Sequence, residues 1–472
     1  MKKVRLVLIS LLMFFAVTGC SNEDKNLLDK DDPTTIQVWH YYNGAQQEEF
    51  NRLVDEFNKT VGKEKGIIVE GSGQGTISDL ERNVLDSING KAGAADIPNI
   101  FAAYGDTAYQ VDKLGYAEYF SKDELSKYVD GYLEEGHFSS KDTLKIFPVA
   151  KSVELFMLNK IDWEKFANAT GASTNDLNTI EGVTKVAEQY YNWTDSLTAA
   201  PNDGKAFFGR DAFANYMLVG YRQLATDIFS KKDNKIVLNF EADIAKKLWD
   251  NYYVPYISGY FSSSGKFRSD DIKIGNILAC VSSSSSVTYF PKEVILNDEE
   301  SHSIELETFA CPKFKDGKDY VVQQGAGMVV LKSEEKEQQA AVEFLKWFTS
   351  DKQNIAFSNA SGYLPVTKSA NDLDKITDEV EVNESVKKTL NTSLKMISDN
   401  NMYTSVPFEK GTDARNVLET TMSNLAKQDR ETVITNLSNG MNLEQAISQF
   451  NNDTYFNQWY TNTKSQLESL IK

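Results

Sequence analysis

The sequence predicts an α/β protein of two domains. Three observations carry this. The chain has 472 residues, and single hydrophobic cores stop growing at about 250–300 residues. Strand-like and helix-like segments alternate through its N-terminal part, which builds largely parallel sheets with helices on their faces. Composition is that of a globular chain, at 41% apolar and 25% charged residues.

The elements follow in order. Residues 6–17 are an apolar run behind Lys2, Lys3 and Arg5. The run is shorter than the roughly 20 apolar residues a spanning helix needs. With Val-Thr-Gly-Cys at 17–20 it reads as a secretory signal, residues 1–19. The cysteine after the small pair resembles the lipobox of bacterial lipoproteins, which implies acylation (palmitate or a similar chain) at Cys20 and attachment to the cell membrane. The alternative is a plain signal with an incidental cysteine. Residues 20–33 are polar and acidic without periodicity, a flexible tether.

Residues 34–39 alternate and are β-branched, a strand. Phe50, Leu53, Val54 and Phe57 fall on one helix face. Residues 66–69 are a second strand, 71–75 a glycine turn, and Ile77, Leu80, Val84, Leu85 and Ile88 a helix stripe. Residues 96–101 read as a third, buried strand. A proline at 148 followed by Val153, Leu155, Phe156 and Leu158 changes the rhythm, and the first crossover between domains is placed there. Helices dominate 162–230. Residues 276–281 form a strand that runs into five serines at 282–286, and 305–314 another strand. Residues 320–331 are a strand pair interrupted by glycines. Ser333 reads as the N-cap of a helix with Ala341, Phe344, Leu345 and Phe348 as its stripe. Gly-Tyr-Leu-Pro-Val at 362–366 is a turn entering a strand, and the remainder is helical.

Net charge is −18. No basic face for nucleic acid is expected from such a chain. His40, His137 and His302 are far apart and in no metal-binding spacing. The glycine turn at 71–75 lacks the strand-Ser-helix context of a nucleophile elbow and the Lys-Ser/Thr ending of a phosphate loop. No catalytic set, cofactor or metal site is therefore expected. Cys280 and Cys311 lie in apolar runs; buried thiols or a disulfide both remain open.

The order of motifs resembles a family along nearly the whole chain. It comprises Ile-Gln-Val-Trp at 36–39 with Gly44 and the helix to Phe57, Ile-Pro-Asn-Ile at 97–100, and the 148–160 segment. It continues through the strand into the serines, 325–330, Gln-Gln-Ala-Ala at 338–341 through Phe344 and Trp347, and the 362–366 turn. These resemble the extracellular solute-binding proteins of ABC importers, family 1 type, which bind carbohydrates and glycerol phosphates. The resemblance implies a two-lobed periplasmic-binding-protein-like fold, with discontinuous lobes joined by crossing segments at a hinge. The lobes would be 34–148 with 313–360, and 149–312 with 361–472. It further implies a non-enzymatic monomer that captures a sugar, an oligosaccharide first, and passes it to permease subunits served by a separate ATPase. The membrane contact would be the lipid alone. Glycerol 3-phosphate or a glycerophosphodiester is the alternative ligand, and a surface sensor the alternative role.

Sugars ask for aromatic faces against their C–H faces and for charge-assisted bonds to their hydroxyls. The chain has 22 Tyr and six Trp. Trp39, Tyr41 and Tyr42 lie where a strand meets a helix, the crevice that holds ligands in open α/β sheets; Trp39 serves the core equally well. Tyr104 and Asp106 follow the third strand in the same way. Ser152 and Glu154 follow the first crossover, as ligand contacts or as a satisfied hinge. Ser283 and Ser284 could hold a ligand oxygen or form a loop. Gly325 allows close backbone approach or bulges a strand. Arg210-Asp211 reads as an ion pair. The family resemblance adds Tyr363, in the 362–366 turn, and Arg415, which matches a ligand-holding arginine of the glycerol-phosphate binders. A pair of Arg415 with Glu419 is the alternative. That subfamily's cleft tryptophan has no counterpart here, since Phe-Phe-Gly-Arg occupies 207–210.

Overall fold

The structure is a computed structural model describing residues 26–138, 142–233, 235–378 and 384–471. The alternation at 34–39 becomes the strand Thr34–His40, with Ile36 and Val38 fully buried. It pairs in parallel with Ile67–Gly73 on one side and Ile100–Ala103 on the other. Gly327–Val330 adds antiparallel to Ile100–Ala103 and completes a four-stranded sheet. The helix Gly44–Lys59 lays Phe50, Leu53, Val54 and Phe57 on this sheet, as the spacing predicts. Each such side chain contributes roughly 1.5–3 kcal/mol by leaving water. A capping box between Thr76 and Asp79 starts the helix Ile77–Ile88.

A second four-stranded sheet runs Leu306–Ala310, Glu154–Asn159, Ala279–Ser283, Phe208–Arg210. Its strand Glu154–Asn159 is buried at every position, which explains the dense apolar run. Phe156 and Leu158 feed one core, with the helices Ile180–Asp195, Phe213–Leu224 and Gly411–Ser438. Leu155 and Met157 feed another, which takes Val386, Leu390 and Met396 from the helix Glu384–Asp399. Here the expectation of parallel sheets is corrected. Glu154–Asn159 pairs antiparallel with both neighbours, because it enters from the first sheet rather than through a strand–helix–strand unit. Isolated bridges Phe147–Met328, Ser152–Gln324 and Lys151–Leu364 bring three segments side by side between the sheets.

Other local readings also change. The strand from residue 67 extends to Gly73, so the glycine turn begins only at Gln74. Gly71 is required there, since a Cβ would stand 2.7 Å from the Phe50 ring. The third strand starts at Ile100; before it, Pro98 has no N–H to offer, and the Asn99 side chain takes the Gln37 N–H at 2.8 Å. The serines from 284 form a 3-10 turn. Glu334, in a capping box with Glu337, replaces Ser333 as N-cap. The two strands of 320–331 do not pair with each other: Tyr320–Val322 joins Asn401–Tyr403 instead. The 362–366 turn enters no strand; Gly362 is a left-handed helix cap, φ 71°. Cys280 and Cys311 are both free.

Residues 26–33, expected as tether, are held to the first sheet's layer. Gln339 Oε1 accepts from the Leu27 N–H at 2.8 Å, and Lys336 Nζ lies 2.7 Å from Asp32. The signal and Cys20 lie outside the described residues.

Candidate functional site

A cavity of about 330 Å³ opens between elements of both sheets, within the usual size of ligand pockets, about 300–1,000 Å³. From the first sheet's side come Glu81, Tyr104, Gly105, Asp106 and Glu135. Tyr104 ends the strand Ile100–Ala103 and caps the helix Gly105–Lys113, so strand-to-helix geometry presents the tyrosine and the aspartate together. From the second come Asn215, on the helix Phe213–Leu224, and Gly411, Thr412 and Arg415, at the start of Gly411–Ser438. Gln323 and Gln324 line it from a crossing segment.

Asp106 bridges the two sides. Its Oδ1 accepts from the Phe408 N–H at 3.1 Å. Gly411 makes room for it, because any side chain there would overlap the Asp106 carboxylate. Burial pushes the Asp106 carboxyl up to about 7, against the downward pull of the Phe408 N–H and Arg415; Glu81 and Glu135 add to the rise. Burial likewise raises Glu81. Glu135 accepts from the Gly105 N–H at 3.2 Å and takes Lys151 Nζ at 2.5 Å. Gln323 Oε1, Gln324 Oε1 and Thr404 Oγ1 are buried and hold no hydrogen-bond partner, and all three residues line the cavity. Unused buried polar atoms are costly, and here they offer bonds to a polar solute. Tyr104, Phe229, Tyr403 and Phe408 supply aromatic surface.

Of the residues expected to touch solute, Tyr104, Asp106 and Arg415 are brought together in this cavity. Next to it Tyr41 and Tyr363 form one hydrogen-bonded pair, and Ser152 and Ser283 another. Tyr41 Oη stands 3.4 Å from Tyr363 Oη, and the Tyr104 phenol is near both. Ser283 Oγ donates to Ser152 Oγ at 3.0 Å. Burial raises all three phenols, so each stays protonated.

The rest have structural partners. Tyr42 is 4% exposed and packs against His40, Phe50 and Phe357, so it is core; Trp39 is buried beside it. Ser284 is fully buried and donates to the Gly362 carbonyl at 3.3 Å. Gly325 has φ 88°, and a Cβ would stand 2.5 Å from the Ala150 carbonyl, so packing of the crossing strands demands it. Glu154 lies outside the main cavity, paired with Arg210 at 2.8 Å. That corrects the Arg210-Asp211 pair: Asp211 instead lies 3.5 Å from Arg268 Nε and accepts from Ser282 Oγ at 2.8 Å. Arg415 bonds to Asn215 Oδ1 at 2.6 Å, while Glu419 accepts from the N–H groups of Phe213 and Ala214. Sequence reasoning missed Glu81, Glu135, Asn215, Gln323 and Gln324. Only the amide pair before Gly325 carried a signal, as polar residues inside a strand-like run. Among the described residues no group of His, Cys, Asp and Glu stands ready to hold a metal ion.

A family profile described as bacterial extracellular solute-binding protein matches residues 52–384. No curated protein matches by sequence. Solved structures match over nearly the full length. One is UgpB from Mycobacterium tuberculosis in complex with glycerophosphocholine, at 14% identity and TM-score 0.68, covering 93% of this chain and 100% of that one. Another is the cyclic alpha-maltosyl-1,6-maltose binding protein from Arthrobacter globiformis, at 16% identity and TM-score 0.65, covering 93% and 99%. A third is the Thermus thermophilus maltotriose binding protein bound with maltotriose, at 14% identity and TM-score 0.61, covering 93% and 100%. At these identities the likeness is one of fold, and it is the two-lobed arrangement expected from the sequence.

Proposed function

Because the chain belongs to the bacterial extracellular solute-binding proteins, we propose that it captures a short neutral oligosaccharide in the cavity between its lobes and delivers it to an ABC-transporter permease. The lobes are 34–148 with 313–360, and 149–312 with 361–472, except that Phe314 and Val322 pack in the second lobe's core and Tyr363 and Val366 in the first's. The protein works as a monomer, tethered by a lipid on Cys20, and the ATPase is a separate chain. The observation that carries the ligand class is the cavity's charge. Glu81, Asp106 and Glu135 line it against the one arginine, Arg415. Lys151 is spent on Glu135. With Glu135 and Lys151 neutralising each other, a phosphate dianion would meet one guanidinium beside the Glu81 and Asp106 carboxyls and no net positive charge, whereas sugar hydroxyls can use carboxyls, amides and a guanidinium at once. The neighbours named for maltotriose and maltosyl-maltose support this reading.

A zwitterionic glycerophosphodiester is a second reading, favoured by the coexistence of Arg415 with acidic groups and by the neighbour solved with glycerophosphocholine. A thermal-shift series with maltotriose, glycerophosphocholine and glycerol 3-phosphate separates them. A ligand at 100 times its Kd stabilises by about 2.7 kcal/mol. Maltotriose is expected to raise Tm and glycerol 3-phosphate to leave it unchanged. A shift from glycerol 3-phosphate alone would overturn the charge argument. Loss of palmitate labelling in Cys20→Ala checks the tether.

A further inference from the structure

We infer that Glu154 and Asn215 are positioning residues that aim the Arg415 guanidinium into the cavity, Glu154 acting on solute only through Asn215 and Arg415. This deepens the reading of Arg415 as a solute contact and rests on it. The groups form one chain. Arg210 Nη2 donates to Glu154 Oε2 at 2.8 Å, and both side chains are buried, at 6% and 5% exposed. Asn215 Nδ2 donates to Glu154 Oε1 at 2.8 Å. Arg415 Nη2 donates to Asn215 Oδ1 at 2.6 Å.

The order of these bonds fixes the amide. A guanidinium only donates, so Arg210 requires a carboxyl oxygen of Glu154 and Arg415 requires the amide oxygen of Asn215. Glu154 therefore takes the NH₂ end of Asn215. Arg210 holds Glu154 from behind and is itself braced over the Tyr216 ring at 5.2 Å. Arg210 Nε is buried without a partner beside a cavity of about 20 Å³, lined also by Glu154 and Asn215. That is room for one water. Arg415 uses one N–H on Asn215, and the rest of its five-donor fork is available to solute. Removing the amide leaves a long side chain with many rotamers at the rim.

The test is a double-mutant cycle on the Kd for maltotriose, by calorimetry, with wild type, Asn215→Leu, Arg415→Ala and the double variant. Leucine keeps the size of Asn215 and removes both bonds. Asn215→Leu is expected to weaken binding about fivefold or more in the wild type, and less than twofold when Arg415 is already alanine. Additive losses would mean that Asn215 acts independently of Arg415, and would overturn the inference. A second readout needs no solute: the rate of phenylglyoxal modification of Arg415, followed by peptide mass spectrometry. It should rise at least fivefold in Asn215→Leu, and an unchanged rate overturns the inference even if maltotriose fails to bind the wild type. That last failure would count against the saccharide reading alone. Asn215→Ser, polar but too short to reach both partners, takes the place of Asn215→Leu should the latter not fold.

Discussion

Arg415→Ala is expected to weaken solute binding at least tenfold, roughly 1.4 kcal/mol, with little loss of stability. The side chain lines the cavity from the first turns of the helix Gly411–Ser438. It is not needed by Glu419, which caps the helix Phe213–Leu224 through the Phe213 and Ala214 N–H groups at 3.0 and 2.6 Å. An exposed pair with Glu419 would have contributed only about 0.3–0.5 kcal/mol. Calorimetry with maltotriose and glycerophosphocholine measures the effect. Arg415→Lys separates the two readings, because a single ammonium loses the planar fork that grips a phosphodiester. Affinity for the phosphodiester should also fall with added salt, while affinity for the saccharide should barely change. A pH signature accompanies the loss. Asp106, raised to about 7 by burial, favours the folded state most below its unfolded pKa, and that contribution is lost as pH rises through about 7. Arg415 pulls the same carboxyl down, so Arg415→Ala should move the end of that loss to higher pH in thermal denaturation without solute. Unaltered affinity for whichever solute binds would place the guanidinium outside the site.

What the sequence reveals and hides follows from periodicity. The stripe Phe50, Leu53, Val54, Phe57 and the run 153–158 were legible because burial on one helix face, or on both faces of a strand, leaves a local pattern. Tyr104 and Asp106 were legible because they follow a strand directly. Tyr42 was misplaced for the same reason: position after a strand gives the crevice, but the ring direction that buries it against Phe357 is set by residues more than 300 positions away. Ser284 and Gly325 look like ligand loops, yet each answers a packing demand from another crossing segment. Asn215 sits inside a helix among apolar neighbours, where nothing local announces that Glu154 and Arg415 meet it from opposite sides. Glu135 was hidden in an acidic chain where a carboxylate ordinarily means a solvated face, and Lys151 in an apolar run around a proline.

That last pair carries the largest expected effect on stability. Lys151 is 0% exposed, with Nζ 2.5 Å from Glu135 Oε2 and 2.8 Å from the Gly325 carbonyl. Its backbone bridges Leu364, and the next residue bridges Gln324. Through its side chain Lys151 thus joins the Gly325 segment to the carboxylate that lines the cavity, while the backbone of 151–152 holds the Leu364 and Gln324 segments. Lys151→Met keeps the length of the side chain and removes the charge. Glu135 is then left with the Gly105 N–H at 3.2 Å and a long contact to Gln323 Nε2 at 3.5 Å. Breaking a buried pair by removing one partner costs about 3–5 kcal/mol, chiefly for the charge left behind. Urea denaturation of Lys151→Met should register a loss of that size. Lys151→Met with Glu135→Gln should recover most of it, since removing both charges of a buried pair is often close to neutral. The double variant should nonetheless bind solute less well, because Glu135 is part of the cavity wall. Such a split between restored stability and impaired binding would mark Lys151 as the group that holds a solute-facing carboxylate in place inside the crossing. A single variant as stable as wild type would show instead that water reaches the pair and that the crossing is held by its backbone bridges alone.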